Sequence, residues 1–282
     1  MTDALVGIRE TAGPSAGASS RLDASGSGRK GSSGEVVASV GRAFSIVRAF
    51  DADHPRMTLS QVAERVDLSR GTARRFLQTL VALGYVEHDG KLFALTPRVL
   101  DLGFAYLAAS RLPQVAAGPV RRVSDATGES CSVAVLDGRH VVYVHRVQPR
   151  RVFSSALEIG SRLPAHAAAL GQVLLAALSP CELERRLRAA TLERMTENTI
   201  TDLSALQAKL DRIRRDGFAL VDGELEDGIV SVAVPVVARS GETIAALNIG
   251  ASAARTQADA LVRDALPLLQ DAAAEIGSTM TG

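Results

Sequence analysis

Four side chains in one short stretch, Arg70, Thr72, Arg74 and Arg75, have the types and spacing to recognise a nucleic acid. Guanidinium groups are planar donor forks that match guanine edges and phosphate oxygens. Arg70 and Arg74 stand one helical turn apart and so share a face, and no acidic residue lies between Asp67 and Glu87 to neutralise them. One good bidentate contact discriminates against a wrong base by about 1–3 kcal/mol. The alternative is a solvated basic helix face. A second constellation, Cys131 with His140 and His145, could be drawn as a nucleophile and its base, and His140, His145 and His166 as metal ligands. Neither set has the local spacing such chemistry shows. Cys131 and Cys181 are far apart, and a buried Cys is most often a small core residue. No catalytic residue, cofactor or metal site is assigned.

The elements flanking the arginines decide between recognition and solvation. Val40, Ala43, Phe44, Val47 and Phe50 follow helical spacing and predict a first amphipathic helix. Thr58 and Gln61 read as a capping box opening a second helix, with Leu59, Val62, Ala63 and Val66 on one face. Asp67-Leu68-Ser69 breaks that pattern, its apolar middle residue tucking beneath the two helices. Ser69 caps a third helix, which carries Gly71 in its first turn, buries Ala73, Phe76, Leu77, Leu80 and Leu83, and ends at Gly84. Tyr85–His88 and Lys91–Leu95 then flank Asp89-Gly90, the signal for a hairpin closed by a two-residue type I′ turn. Lys91 sits beside its tip. This order predicts a winged helix-turn-helix over residues 35–97, with its third helix in the major groove. Ser69, Arg70, Gly71, Thr72, Arg74, Arg75 and Lys91 are the expected contacts to double-stranded DNA.

At 282 residues the chain has room for this small domain and a larger one. Its net charge of +1 confines any DNA affinity to a local patch. Nothing reads as a signal peptide or membrane span, so a reducing cytoplasmic setting is expected. Residues 1–34, rich in Gly, Ser and Ala, read as a flexible tail, with Arg29-Lys30 its one basic pair.

Residues 98–112 form an expected linker helix, with Leu100, Phe104 and Leu107 on one stripe and Val99 and Leu102 beside it. This apolar face is either covered by its own domain or meets the same helix of a second subunit. The second is the expectation, because helix-turn-helix proteins read paired half-sites as dimers.

Residues 113–282 alternate strands and helices. A hairpin is predicted over 130–147, turning at Gly138-Arg139, with a third strand from Val152 to Ile159. Helices are predicted over Ala165–Leu178, from Ser179-Pro180-Cys181-Glu182 onward, where Glu182 completes a capping box, and over Asp202–Asp216. Strands near Phe218–Val221, Ser231–Ala238 and Thr243–Ile249 precede a closing helix from Gln257 to about Ile276. Such grouping predicts an α+β domain that a small ligand enters from one face. Arg146, at a strand end, is the candidate partner of a ligand carboxylate, since an unpaired buried charge is prohibitive; Arg150 and Arg151 follow it on the expected surface.

From about Ser39 to Ile276 the chain resembles the IclR family of bacterial transcriptional regulators. The resemblance rests on SRGTARRFLQTLVALGYVEHDGKLFALTPRVLDLG, TGESCSVAVLDG, IGSRLPAHAAALGQVLLAAL, GFALVDGELEDGIVSVAVPV and AALNIGAS. Within the family, TPRVLDLGFAYL and TGESCSVAVLDG are most similar to the PcaR/PobR-type branch, which governs aromatic-acid catabolism through the β-ketoadipate route. The resemblance implies an N-terminal winged helix-turn-helix, a GAF-like effector domain, and a homodimer or dimer of dimers. It places the effector pocket at Ala165, His166, Ala167, Ala168 and Leu170, and at Asp222, Ser231, Asn248 and Gly250. The chemistry agrees: small side chains admit a ligand to the backbone, helix-start N–H groups favour a carboxylate, and Ser231 and Asn248 are neutral hydrogen-bond partners. Asp222 repels a carboxylate unless it is protonated or meets a hydroxyl. Gly71 and Thr72 depart from many relatives, so the operator sequence is not transferable, and Gly250 stands where some relatives carry a hydroxyl. The expected function is DNA-binding regulation by a small aromatic carboxylate; the alternatives are a protein-interaction module and a cytosolic enzyme with a Cys/His site.

Overall fold

A computed structural model describes residues 37–149, 157–188 and 191–281. Residues 1–34 with Arg29-Lys30, most of the strand expected over Val152–Ile159, and Arg150 and Arg151 lie outside the described residues. The chain divides into two compact units between Arg98 and Val99.

The first unit contains α1 (Ala38–Arg48), β1 (Arg56–Met57), α2 (Leu59–Arg65), α3 (Arg70–Ala82), β2 (Val86–His88) and β3 (Phe93–Leu95). Its core gathers Ile46, Met57, Val62, Leu77, Leu80, Val86 and Phe93. Ile46, rather than the expected Val40 and Phe44, anchors α1; those two are exposed, because only the C-terminal half of α1 reaches the core. Leu83, at the end of α3, is likewise exposed.

Thr58 caps α2 in a full capping box, Thr58 N–H donating to Gln61 Oε1 at 2.8 Å. The break that follows is sharp. Asp67 has φ 51°, and Leu68 N–H reaches back to the Ala63 carbonyl at 3.0 Å, drawing its side chain against the core. Ser69 then caps α3, its Oγ accepting from Thr72 N–H.

The wing differs from expectation in two respects. A type I′ turn at Asp89-Gly90 needs positive φ at both residues, and only Gly90 has it. The turn is centred one residue later: Asp89 N–H donates to the Leu92 carbonyl at 3.2 Å, while Asp89 Oδ1 accepts from Lys91 and Leu92 N–H at 2.9 and 2.8 Å. The carboxylate thus does locally what a second left-handed residue would have done. In addition β1 pairs with β3, giving a three-stranded sheet in the order β1-β3-β2.

The second unit opens with α4 (Leu100–Ala109) and α5 (Leu112–Thr127), followed by β4 (Ser130–Asp137), β5 (His140–Val147), β6 (Arg162–Pro164), α6 (Ala169–Ala176), α7 (Pro180–Leu187), α8 (Leu203–Asp216), β7 (Ala219–Asp222), β8 (Ile229–Val237), β9 (Thr243–Ser252) and α9 (Ala258–Thr279). The strands form one antiparallel sheet in the order β6-β5-β4-β9-β8-β7.

Period-2 alternation sends Val232, Val234, Leu247 and Ile249 to one face, under α5 and α9. Ala233 and Ala246 go to the other, under α6 and α8. Helix α5 is an element that helix-breaker logic conceals: it contains Pro119, yet buries Leu112, Ala116, Pro119, Val120 and Val123 on one stripe. Tertiary packing on the sheet outweighs the missing N–H.

Helix α6 starts at Ala169, not at Ala165. Ala165 N–H is held by the Arg139 carbonyl of the β4–β5 turn at 2.9 Å, so the segment before Ala169 turns rather than coils. At α7 the Ser179 cap forms, but the Glu182 carboxylate goes to Arg185 and Arg186 instead of completing the box.

Candidate functional site

Two sites follow from this scaffold, one in each unit. On α3 the buried stripe of Ala73, Leu77 and Leu80 leaves Arg70, Gly71, Arg74 and Arg75 on the exposed face. Thr72 is half-buried, its hydroxyl 2.9 Å from Ser69 Oγ, so it belongs with the cap. Among the described residues none of these three arginines pairs with a carboxylate, whereas Arg56, Arg65 and Arg186 each do. Lys91 is exposed at the tip of the wing. The first unit therefore presents one helix face and one hairpin tip of bare positive charge.

In the second unit a cavity of about 300 Å³ lies on the α6 side of the sheet. Tyr143 and Arg146 of β5, Ser231 of β8, and Asn248 and Gly250 of β9 line it, and Ala168, Ala169 and Leu170 wall it at the start of α6. Arg146 Nη1 donates to Ser132 Oγ at 3.0 Å, and its Cζ lies 5.8 Å from the Tyr143 ring centre.

Asn248 Nδ2 donates to Ser231 Oγ at 2.9 Å, and Ser231 Oγ donates to the Ile249 carbonyl at 2.9 Å. That direction leaves Asn248 Oδ1 as an acceptor, buried and without a partner among the described residues. The first N–H groups of a helix have no helical acceptor, and at α6 no side chain of the cap residue Ala168 supplies one. At the rim Arg255 meets the buried Glu129 at 3.3 Å.

Of the sequence-predicted pocket residues, Arg146, Ala168, Leu170, Ser231, Asn248 and Gly250 come together around this cavity, and Ala165, His166, Ala167 and Asp222 do not line it. Ala165 packs behind α6, so close to Gly171 that a Cβ there would fall 2.2 Å from the Ala165 carbonyl oxygen. His166 turns away to the Glu193 carbonyl, 2.9 Å from Nε2, which fixes that nitrogen as the proton carrier. Asp222 is exposed at the end of β7. Sequence reasoning missed Tyr143, Glu129 and Arg255. A buried Tyr followed by an Arg on one strand was the available signal, but ordinary alternation puts such a pair on opposite faces.

The Cys/His alternative finds no support in the geometry. Cys131 lies in the core under α5 and α9, and burial pushes its thiol up to about 12, far from a reactive thiolate. Among the described residues no group of three or more His, Cys, Asp or Glu is placed to hold a metal ion. No helix among them is long and apolar enough to cross a membrane.

Comparison with known proteins agrees with the two-unit reading. The IclR helix-turn-helix domain matches residues 39–90, and the bacterial transcriptional regulator IclR C-terminal domain matches residues 104–278. The chain is 34% identical over 249 residues to the Pca regulon regulatory protein of Pseudomonas putida, covering 88% of this chain and 86% of that protein. It is 36% identical to the p-hydroxybenzoate hydroxylase transcriptional activator of Acinetobacter baylyi, covering 86% and 91%. An IclR homologue from Microbacterium hydrocarbonoxydans, solved in complex with 4-hydroxybenzoate, superposes with a TM-score of 0.73 at 28% identity, covering 85% of this chain and 97% of that one. With a helix-turn-helix unit, a curled-sheet unit and both domain matches in the same order, the chain belongs to the IclR family of bacterial transcriptional regulators.

Proposed function

We propose that this regulator binds operator DNA through residues 35–97, carries a linker at 98–112, and senses a small aromatic carboxylate, a hydroxybenzoate above all, through residues 113–282. The observation that carries the effector reading is the cavity's polar pattern. A guanidinium at Arg146 and the uncapped start of α6 suit a carboxylate. Asn248 Oδ1, buried without a donor, suits a ligand hydroxyl, because an unmatched buried acceptor costs about 1–3 kcal/mol. The apolar side chains Tyr143, Leu157, Leu170 and Val221 between them suit a ring. Two relatives point the same way, one named for control of p-hydroxybenzoate hydroxylase and one solved with 4-hydroxybenzoate.

Arg70, Gly71, Arg74, Arg75 and Lys91 form the proposed DNA surface, and Ser69 and Thr72, expected there as contacts, hold the capped helix start that presents it. The proposed assembly is a homodimer or dimer of dimers in the cytoplasm. Supporting it, α4 leaves Leu100, Leu102, Phe104 and Tyr106 exposed, an apolar surface that a second copy would cover. The protein acts without catalysis, by population shift: the effector binds one state better than another, with a coupling of about 1–3 kcal/mol.

Fluorescence anisotropy on the duplex upstream of the protein's own gene, with and without 4-hydroxybenzoate, tests the reading. Effector-dependent and steeply salt-dependent binding is expected. Binding indifferent to salt and to the arginines of α3 would favour a protein-interaction module instead.

A further inference from the structure

Helix α6 is buried along all eight of its residues. A helix that is apolar on one side is oriented by that side; one that is apolar all round takes no rotational preference from burial. In ALGQVLLA only Gln172 carries a polar side chain, and it has no exposed surface.

Its amide is held in one orientation. Gln172 Nε2 donates to the His166 carbonyl and to Glu224 Oε2, both at 2.8 Å. Both partners accept only, so the nitrogen must face them. The cost is visible on the other atom: Gln172 Oε1 is buried with no partner among the described residues.

Each contact point is anchored in turn. Glu224 is paired through Oε1 with Lys209 of α8, and its carbonyl accepts from Thr199 Oγ1 at 2.6 Å. His166 is tied to the Glu193 carbonyl. Beside the amide, Gly171 permits the close approach of Ala165 that any side chain would block.

Neither Gln172 nor Glu224 lines the cavity, but their neighbours do: Ala168, Ala169 and Leu170 on one side, Leu225 and Glu226 on the other. We propose that Gln172 is the positioning residue that fixes the rotation of α6, and that its bond to Glu224, steadied by Lys209, sets the separation of two walls of the effector cavity. A buried polar group that fixes register at some cost in stability has this form. The proposal rests on the effector reading for its functional consequence, not for the structural role itself.

Gln172→Met and Glu224→Gln in the full-length protein test it. The readouts are amide hydrogen exchange over residues 165–176 and 223–226, melting temperature, and titration with 4-hydroxybenzoate and benzoate. In Gln172→Met the His166 carbonyl and Glu224 Oε2 lose their donor, so the melting temperature should fall, and the segment 165–170 is expected to exchange faster than that fall alone accounts for. The affinity for 4-hydroxybenzoate should fall by about fivefold to tenfold, the equivalent of one hydrogen bond, and the preference between the two acids should flatten. Glu224→Gln should shift the same readouts, because its single amide oxygen cannot serve both Gln172 and Lys209, and it carries the test should Gln172→Met not fold. Wild-type exchange over 165–170 in the folded variants would overturn the proposal. If the unmodified protein binds neither acid, the effector reading falls while the exchange data still decide the role of Gln172.

Discussion

Tyr143 and Arg146 share one cavity although odd spacing along β5 should separate them, with the Arg146 Cζ 5.8 Å from the Tyr143 ring centre. In a regular strand, residues at i and i+3 point to opposite faces. Here Ala134 pairs with Tyr143 and Val133 with His145, so Val144 has no opposite number. This bulge resets the alternation. It brings a guanidinium beside an aromatic face in the sheet surface that lines the cavity.

Arg146 should therefore dominate effector affinity. Arg146→Ala removes a charge-assisted contact worth about 1.5–3 kcal/mol, a loss of about 10-fold to 150-fold in affinity for a benzoate. Arg146→Lys should recover only part of this, since an ammonium lacks the planar fork that packs on Tyr143. Calorimetric titration with 4-hydroxybenzoate measures both; equal affinities in all three proteins would remove Arg146 from the site.

Gly250 lies over open space, with nothing within 4 Å of a Cβ built there, and its strand geometry suits a branched side chain. Gly250→Val should leave the melting temperature within a few degrees and abolish effector binding by filling the cavity. Thermal shift with and without ligand separates these effects. A variant still stabilised by the acid as strongly as wild type would show that the ligand binds elsewhere.

On α3, Arg70→Ala and Arg74→Ala should each weaken operator binding. A lost base contact lowers discrimination by about 1–3 kcal/mol, and a lost phosphate contact reduces the salt slope by about one. Anisotropy titrations on cognate and scrambled duplexes across salt tell the two roles apart. Thr72→Ala acts differently, through the Ser69–Thr72 cap, and should cost stability more than sequence preference.

His145 links stability to pH. Burial, with Arg121 adding to it, holds its imidazole below the usual range, and burial does the same at His140, ahead of Arg162 and Arg139. The folded state thus favours neutral imidazoles while the unfolded chain takes up protons at higher pH. Their stability contribution is complete above the unfolded value of about 6.5 and is lost as pH falls through the lower folded values. Melting temperature should hold near neutrality and decline on acidification, with a shallower decline in His145→Leu. An unchanged slope in that variant would place the acid sensitivity elsewhere.

Local chemistry was enough to read the first unit. Thr58 with Gln61, Ser69 before the arginines, and the stripe from Ala73 to Leu80 are short-range signals, and each formed as read. They depend on hydrogen bonds and spacings within a few residues. The turn of the wing shifted by one residue because the Asp89 side chain supplied bonds that backbone rules assign to φ. Helix α5 is concealed from local rules because Pro119 is an interior helix breaker that packing on the sheet overrides, whereas Pro113 sits in the first turn, where the ring is tolerated.

The sequence by itself determined the order of the two units, the capped helix with its bare arginines and the approximate spans of most strands of the larger sheet, because each follows from periodicity along the chain. Which polar side chains meet around the cavity was decided only by tertiary structure. A single extra residue at Val144 turned Arg146 toward Tyr143, the anchoring of Ala165 by Arg139 drew the Ala-rich segment partly out of the cavity, and Glu224 reached Gln172 across 52 residues of chain. Such contacts depend on strand register and helix rotation, which no residue specifies alone.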